Sequence, residues 1–297
     1  MRNRLLSGIS WAALLSLGCL APLGTAADES LPGPKHSLQY KFKMGEVLRY
    51  GIKHSTNIRT TIEGTTQEAD TQSESIKAWK VTDVLPNGEM EFVHLVEKVR
   101  MSNRVPNRAV RKFDSETDAS PPPGFEQAAG AVGVPLTVVR ITAAGDVVAR
   151  EEKYPLPAPS EDMPITLRLP PNPVVIGEQW DFTYDVRVDR KSGAKLTVRT
   201  RRVCTLRRAE AGVAVIGVEY QILTPVGPFV ESQLVERLTK GTVRFDIEHG
   251  RMLSQTLDAD RRVIGFSGEA SSMHYVSRME ERLLRPEKRL ARKREGG

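Results

Sequence analysis

The chain has 297 residues, a formal net charge of +6 and two cysteines. If Cys19 leaves with an export leader, Cys204 has no intramolecular partner, which excludes a disulfide-stapled fold; about 270 remaining residues can instead bury roughly 70–75% of their unfolded surface around a core. The positive charge does not describe a globular surface: Arg2 and Arg4 sit at the N-terminus, and from Arg278 onward eight basic residues stand against four acidic ones, leaving 33 of each between.

Residues 1–27 have the layout of a signal peptide. Arg2 and Arg4 precede an apolar stretch carrying Trp11, Leu14, Leu15, Leu17 and Leu20, and Gly24-Thr25-Ala26-Ala27 supplies the small residues a signal peptidase accepts, with cleavage expected after Ala26 or Ala27. The expected location is the periplasm or cell surface. Gly18-Cys19 offers an alternative, anchoring as a lipoprotein through Cys19, although Ser16 fits that motif poorly. No later stretch approaches the ~18 apolar residues of a membrane-spanning helix, so none is expected in the mature chain.

In the first half (28–154), Leu48, Tyr50, Ile52, His54, Thr56, Ile58, Thr60 and Ile62 alternate with polar residues, the period of a half-buried strand. At about 3.3 Å per residue a strand that long must twist or bend, as curved sheets and barrels allow. A second strand is expected over 71–85, with Trp79 and Val81 on one face. Pro86-Asn87-Gly88 turns the chain, because Asn-Gly takes positive φ cheaply. The return over 89–101 is apolar on both faces and so central in the sheet. A short strand near 109–114, a proline-rich loop over 115–124, a short helix over 125–130 and a hairpin about Ala144-Gly145 follow.

Residues 155–175 hold seven prolines and no regular pattern, a linker or draped connection. In the second half (176–280), Trp180, Phe182, Tyr184, Val186 and Val188 alternate with polar residues. Leu196, Val198, Thr200, Cys204 and Leu206 share the next inward face, Val213–Leu223 returns, and a hairpin turns at Glu248-His249-Gly250. Residues 268–280 fit a strand through Met273 and Tyr275 or a helix through Met273, Val276 and Leu283. Residues 281–297 are expected to be a disordered basic tail, or one attracted to an anionic envelope surface; export makes nucleic acid an unexpected partner. The fold expected is mainly β, with ten to twelve antiparallel strands in one or two curved sheets, as a sandwich or half-barrel, and little helix.

The halves echo each other. Gly45-Glu46 and Gly177-Glu178 each open a strand, and Val110-Arg111-Lys112-Phe113-Asp114 resembles Val243-Arg244-Phe245-Asp246; both pairs align at an offset of 132 residues, although the hairpins between them need a gap. An ancient duplication would give two similar sheets packed face to face or joined edge to edge. The Gly-Glu openings, Val134-Pro135-Leu136-Thr137-Val138 leading to Gly145-Asp146-Val147-Val148, and Gly241-Thr242-Val243-Arg244-Phe245-Asp246 with Gly250 resemble a planctomycete-type family of exported bacterial β-rich proteins without assigned function. The resemblance covers most of 38–280. It implies fold and compartment and transfers no catalytic residue.

Reactive constellations are not legible. His36, His54, His94, His249 and His274 have no metal-ligand spacing, though His54 and His94 could meet if their strands pair. Gly265-Phe266-Ser267-Gly268 lacks the spacing of a nucleophile elbow, and Cys204 lies on an apolar face, where thiols pack. Asp258 with Asp260, or Asp114, Glu116 and Asp118, could hold calcium but lack the EF-hand pattern; turn carboxylates in solvent are the plainer reading. Trp79, Trp180, Phe182 and Tyr184 face inward, either as core or as a groove for an apolar or carbohydrate ligand. No catalytic residue, cofactor or metal site is assigned. The expected function is a non-enzymatic exported binding or scaffold module; the alternatives are a periplasmic carrier of an apolar ligand and a hydrolase with dispersed carboxylates.

Overall fold

Side-chain alternation organises the structure from its first strand. The computed structural model describes residues 33–155 and 165–285; the leader with Cys19, residues 156–164 of the connection and the tail beyond 285 lie outside the described residues. β1 (Val47–Ile62) and β2 (Thr65–Val84) form one long hairpin through Glu63 and Gly64. β2 begins six residues before the expected strand, because Thr65–Asp70 is polar on both faces and shows no period. There Asn57 Nδ2 donates to Glu68 and to Asp70, each at 2.7 Å, so the extension is held by polar cross-strand pairs.

β3 (Met90–Arg104), β4 (Arg111–Asp114), α1 (Glu126–Gly130), β5 (Pro135–Ile141) and β6 (Val147–Glu152) complete the first half. The second holds β7 (Gln179–Asp189), β8 (Lys195–Glu210), β9 (Val213–Ile222), α2 (Pro228–Ser232), a 3-10 turn over Val235–Arg237, β10 (Lys240–Asp246), β11 (Arg251–Ile264) and β12 (Ser272–Leu283). The ambiguous stretch over 268–280 is therefore strand. The expected tail boundary is corrected: residues 281–283 belong to β12, where Glu281 is 2% exposed. The short helical pieces over 228–237 carry no extended alternation and were not anticipated; Pro228 starts the first of them.

All strand pairs are antiparallel and make a single sheet in the order β6-β5-β3-β2-β1-β12-β11-β10-β9-β8-β7, with β4 attached to β3. The halves are meanders joined edge to edge, β1 on β12, through twelve residue pairs from Tyr50–Leu283 to Thr61–Ser272. Their shared Gly-Glu openings carry the same hydrogen bonds. Glu46 accepts from the Lys43 N–H and Glu178 from the Val175 N–H, each at 2.9 Å. Gly45 and Glu46 bracket Val81 on β2 as Gly177 and Glu178 bracket Leu206 on β8.

The sheet curls strongly. Trp79 on β2 and Tyr184 on β7 stand seven strand steps apart, about 34 Å in a flat sheet at roughly 4.8 Å per step. Both line one cavity. The inner face is filled at one end by the segment before β1, whose Leu38, Tyr40 and Phe42 enter a core with Trp79, Phe92, Leu206 and Phe245. That segment runs against the turns after β5 and β10: the Tyr40 N–H donates to Ala143 O and the Lys41 N–H to Gly250 O. Both turns need glycine. A Cβ at Gly145 would stand 2.7 Å from the Tyr40 ring, and one at Gly250 would stand 2.4 Å from the Lys41 nitrogen, each with positive φ besides. Leu167, Leu169 and Val174 of the connection cover the same core.

Candidate binding cavity

Along β11 and β12 the packing has a gap. Met252 belongs to the main core and Ala259, Val263 and Tyr275 to a second cluster capped by Val235. Between them lies a cavity of about 340 Å³, roofed by Ile165–Leu167 of the connection and by Glu236, Arg237 and Thr239 after α2. Its volume is at the small end of ligand pockets, which run from about 300 to 1,000 Å³. The interior is thus filled at one end and open at the other.

Two cations, Arg202 buried and Lys77 largely so, stand in its walls and are treated differently. Lys77, on the inner face of β2, pairs with the Glu281 carboxylate of β12. Its ammonium also lies 4.7 Å from the Trp79 ring and 5.1 Å from the Tyr50 ring. The other Glu281 oxygen accepts from Gln255 Nε2 at 2.5 Å. This wall is balanced in charge. Arg202, on the inner face of β8, is 8% exposed and stacks 4.3 Å from the Tyr220 ring and 5.7 Å from the Phe182 ring. Its Nε has no hydrogen-bond partner. Among the described residues, the groups that act on its charge are the Cys204 thiol and the Tyr184 and Tyr40 phenols. Burial pulls its pKa down, but a guanidinium stays protonated in proteins. Two more lining residues hold an unpaired buried donor, Trp79 at Nε1 and Arg237 at an Nη.

Of the four aromatics expected in a groove, the structure brings Trp79 and Tyr184 to the cavity. Phe182 stands behind Arg202, with Arg168 4.7 Å from its ring. Trp180 is elsewhere: its Nε1 donates to Arg168 O at 3.1 Å beneath the connection. Sequence reasoning missed Lys77, Arg202, Glu281 and Arg237. The signal for Arg202 was a charged residue in the inward row between Thr200 and Cys204; for Lys77 it was a charge two residues before Trp79.

The remaining candidates do not assemble. His54 lines the cavity, with its pKa lowered by burial. His94 is paired in register with Trp79, while His54 is paired with Ser73 six residues along β2, so the two do not meet. Burial, helped by the charges of Lys77 and Arg150, lowers the His94 pKa to about 3. His36 sits in a bridge with Val174. His249 is bonded to Asp246 at 3.0 Å and His274 to Asp260 at 2.8 Å. Asp258 and Asp260 are strand residues, Asp258 being paired with Arg278 at 3.0 Å. Asp114 is bound by Arg100, Glu116 by Lys98, and Asp118 accepts the Asp114 N–H. Among the described residues no group of His, Cys, Asp or Glu could hold a metal ion. Cys204 is buried and its thiol is pushed up to about 12 by desolvation, which leaves it unreactive. A wider groove of about 570 Å³ on the outer face is open, and Lys53, Lys98 and Arg100 there pair with its own carboxylates, Lys53 with Glu74 at 3.0 Å.

No protein-family model and no curated protein matches the chain. Among solved structures it is similar to a DUF1329 family protein from Desulfovibrio piger, at 10% identity and a TM-score of 0.16, over 77% of this chain and 83% of that one. A superposition at that score carries no argument about fold or chemistry.

Proposed function

We propose that this chain is a non-enzymatic exported binding protein whose cavity under the curled sheet takes a small, largely apolar ligand. The observation that carries the reading is the gap itself. A well-patterned β core normally closes on itself at close to crystal density, yet here packing stops short of roughly 340 Å³ between Trp79, Tyr184, Leu257 and Met279. His54 and Glu236 also line the cavity, so the hydrolase alternative keeps a histidine and a carboxylate there, while Glu281 is taken by Lys77 and Gln255. Of the alternatives, the carrier of an apolar ligand is the one this gap favours.

The export part of the proposal rests on the leader at 1–27. Terminal sequencing of the protein from an envelope fraction should start at Ala27 or Asp28, and a lipid-modified Cys19 as first residue would replace free export by anchoring. Kinship with the exported planctomycete-type family belongs to the same proposal. The binding reading is tested with the neutral fluorophore N-phenyl-1-naphthylamine. The purified mature protein should enhance its emission saturably at one site per chain, and decanol should displace it. Emission that rises linearly without saturation would remove the cavity as a ligand site.

A further inference from the structure

We infer that the cavity's ligand is an amphiphile with an anionic oxyacid head, carboxylate or phosphate, held by the Arg202 guanidinium while its short apolar tail lies toward Leu257 and Met279. The inference rests on the cavity being a ligand site and adds the chemical class. Its basis is an imbalance. A buried cation normally has a carboxylate, because an isolated charge in the interior is costly; Lys77 obeys this rule with Glu281 across the same cavity. Arg202 is more than nine-tenths buried, lines the cavity and, among the described residues, meets aromatic faces, a thiol and phenols but no carboxylate. Ring faces attract the guanidinium charge but accept none of its N–H bonds in the way an oxygen does, and its Nε is unpaired. A planar fork of donors matches a carboxylate or phosphate in two parallel bonds.

The rest of the lining agrees in sign. The unspent donors of Trp79 and Arg237 add to that of Arg202; of the lining carboxylates among the described residues, Glu281 is buried and taken by Lys77 and Gln255, and Glu236 is exposed to solvent. Donors in surplus select an acceptor-rich head and disfavour a cationic one. The apolar lining asks for a tail, so a free inorganic anion would leave most of the space empty.

The test is isothermal titration of the full mature protein at neutral pH with decanoate, decyl phosphate, decanol and decyltrimethylammonium, repeated on Arg202→Met. The expected result is that an anionic ligand binds at least about tenfold more tightly than decanol, a charge-assisted hydrogen bond being worth that ratio or more. The cation should bind most weakly. In Arg202→Met the anion's advantage over decanol should shrink to about onefold, with decanol binding retained. Whichever anion loses more identifies the head that the fork prefers. Equal binding of decanol and both anions by the wild-type protein would overturn the inference while leaving the cavity reading intact, and this comparison does not depend on how the variant folds. Saturable binding of none of the four would overturn both.

Discussion

The two walls of the cavity hold the same kind of charge in opposite circumstances. On the β2–β12 side Lys77 is neutralised by Glu281, braced by two rings and by Gln255. On the β8 side Arg202 has rings but, among the described residues, no anion. One wall is finished by the chain itself. On the other, no described residue supplies an anion, and a buried group that is costly without a partner is how a binding site differs from a core. The same substitution, removing a charge, should therefore act with opposite sign on the two sides.

The largest effect is expected from Glu281→Ala. It strands the Lys77 ammonium in the interior and takes an acceptor from Gln255, and should cost about 3–5 kcal/mol of unfolding free energy in urea melts. A loss under 1 kcal/mol would mean that solvent reaches Lys77 and that this wall is not closed. Arg202→Met should instead hold stability or raise it by roughly 1–2 kcal/mol, since it replaces an unpaired buried cation by an apolar chain of similar length. A large loss there would show that Arg202 has an internal partner, and the contrast would fail.

A third, smaller effect concerns pH. His94 titrates near 3 in the fold, against about 6.5 unfolded. The unfolded chain then binds the extra proton between these values, so the stability is fully present above about pH 6.5 and is lost as pH falls toward 3. Between pH 7 and 5.5 the loss should be about 1 kcal/mol, with His54 acting in the same direction. His94→Gln should flatten most of that slope in urea melts; an unchanged slope would place the titration elsewhere. The smallest effect belongs to the outer face. Lys53 and Glu74 are 70% and 50% exposed, and a double-mutant cycle on them should return under about 0.5 kcal/mol. A larger coupling would mark the outer groove as a second organised site.

The architecture was readable where burial is one-sided. Leu48 to Ile52 and Trp180 to Val188 alternate because one face meets the core, and the hairpins at Asn87-Gly88 and Gly145 follow from backbone freedom at glycine. Legibility failed where that condition fails. Thr65–Asp70 projects beyond the core, so its pairing rests on Asn57 and not on alternation. The last strand stayed undecided because Met273 fits either period, and its end was assigned to the tail because Glu281 and Arg282 resemble the charged residues that follow. The cavity was the least legible part, because it depends on a curl that brings β2 to β7 across the whole second half. Trp79 and Tyr184 were nominated as aromatics facing inward. Arg202, which sets the character of the site, stood in the inward row, where a lone charge reads as an interruption of the pattern.

The most direct measurement is an anomalous difference map from crystals of the mature protein grown with ω-brominated decanoate. The predicted result is one bromine peak inside the cavity, near Leu257 and Met279, with the carboxylate density against the Arg202 guanidinium. Bromine found only in the outer groove, or a cavity without density at saturating ligand, would contradict it.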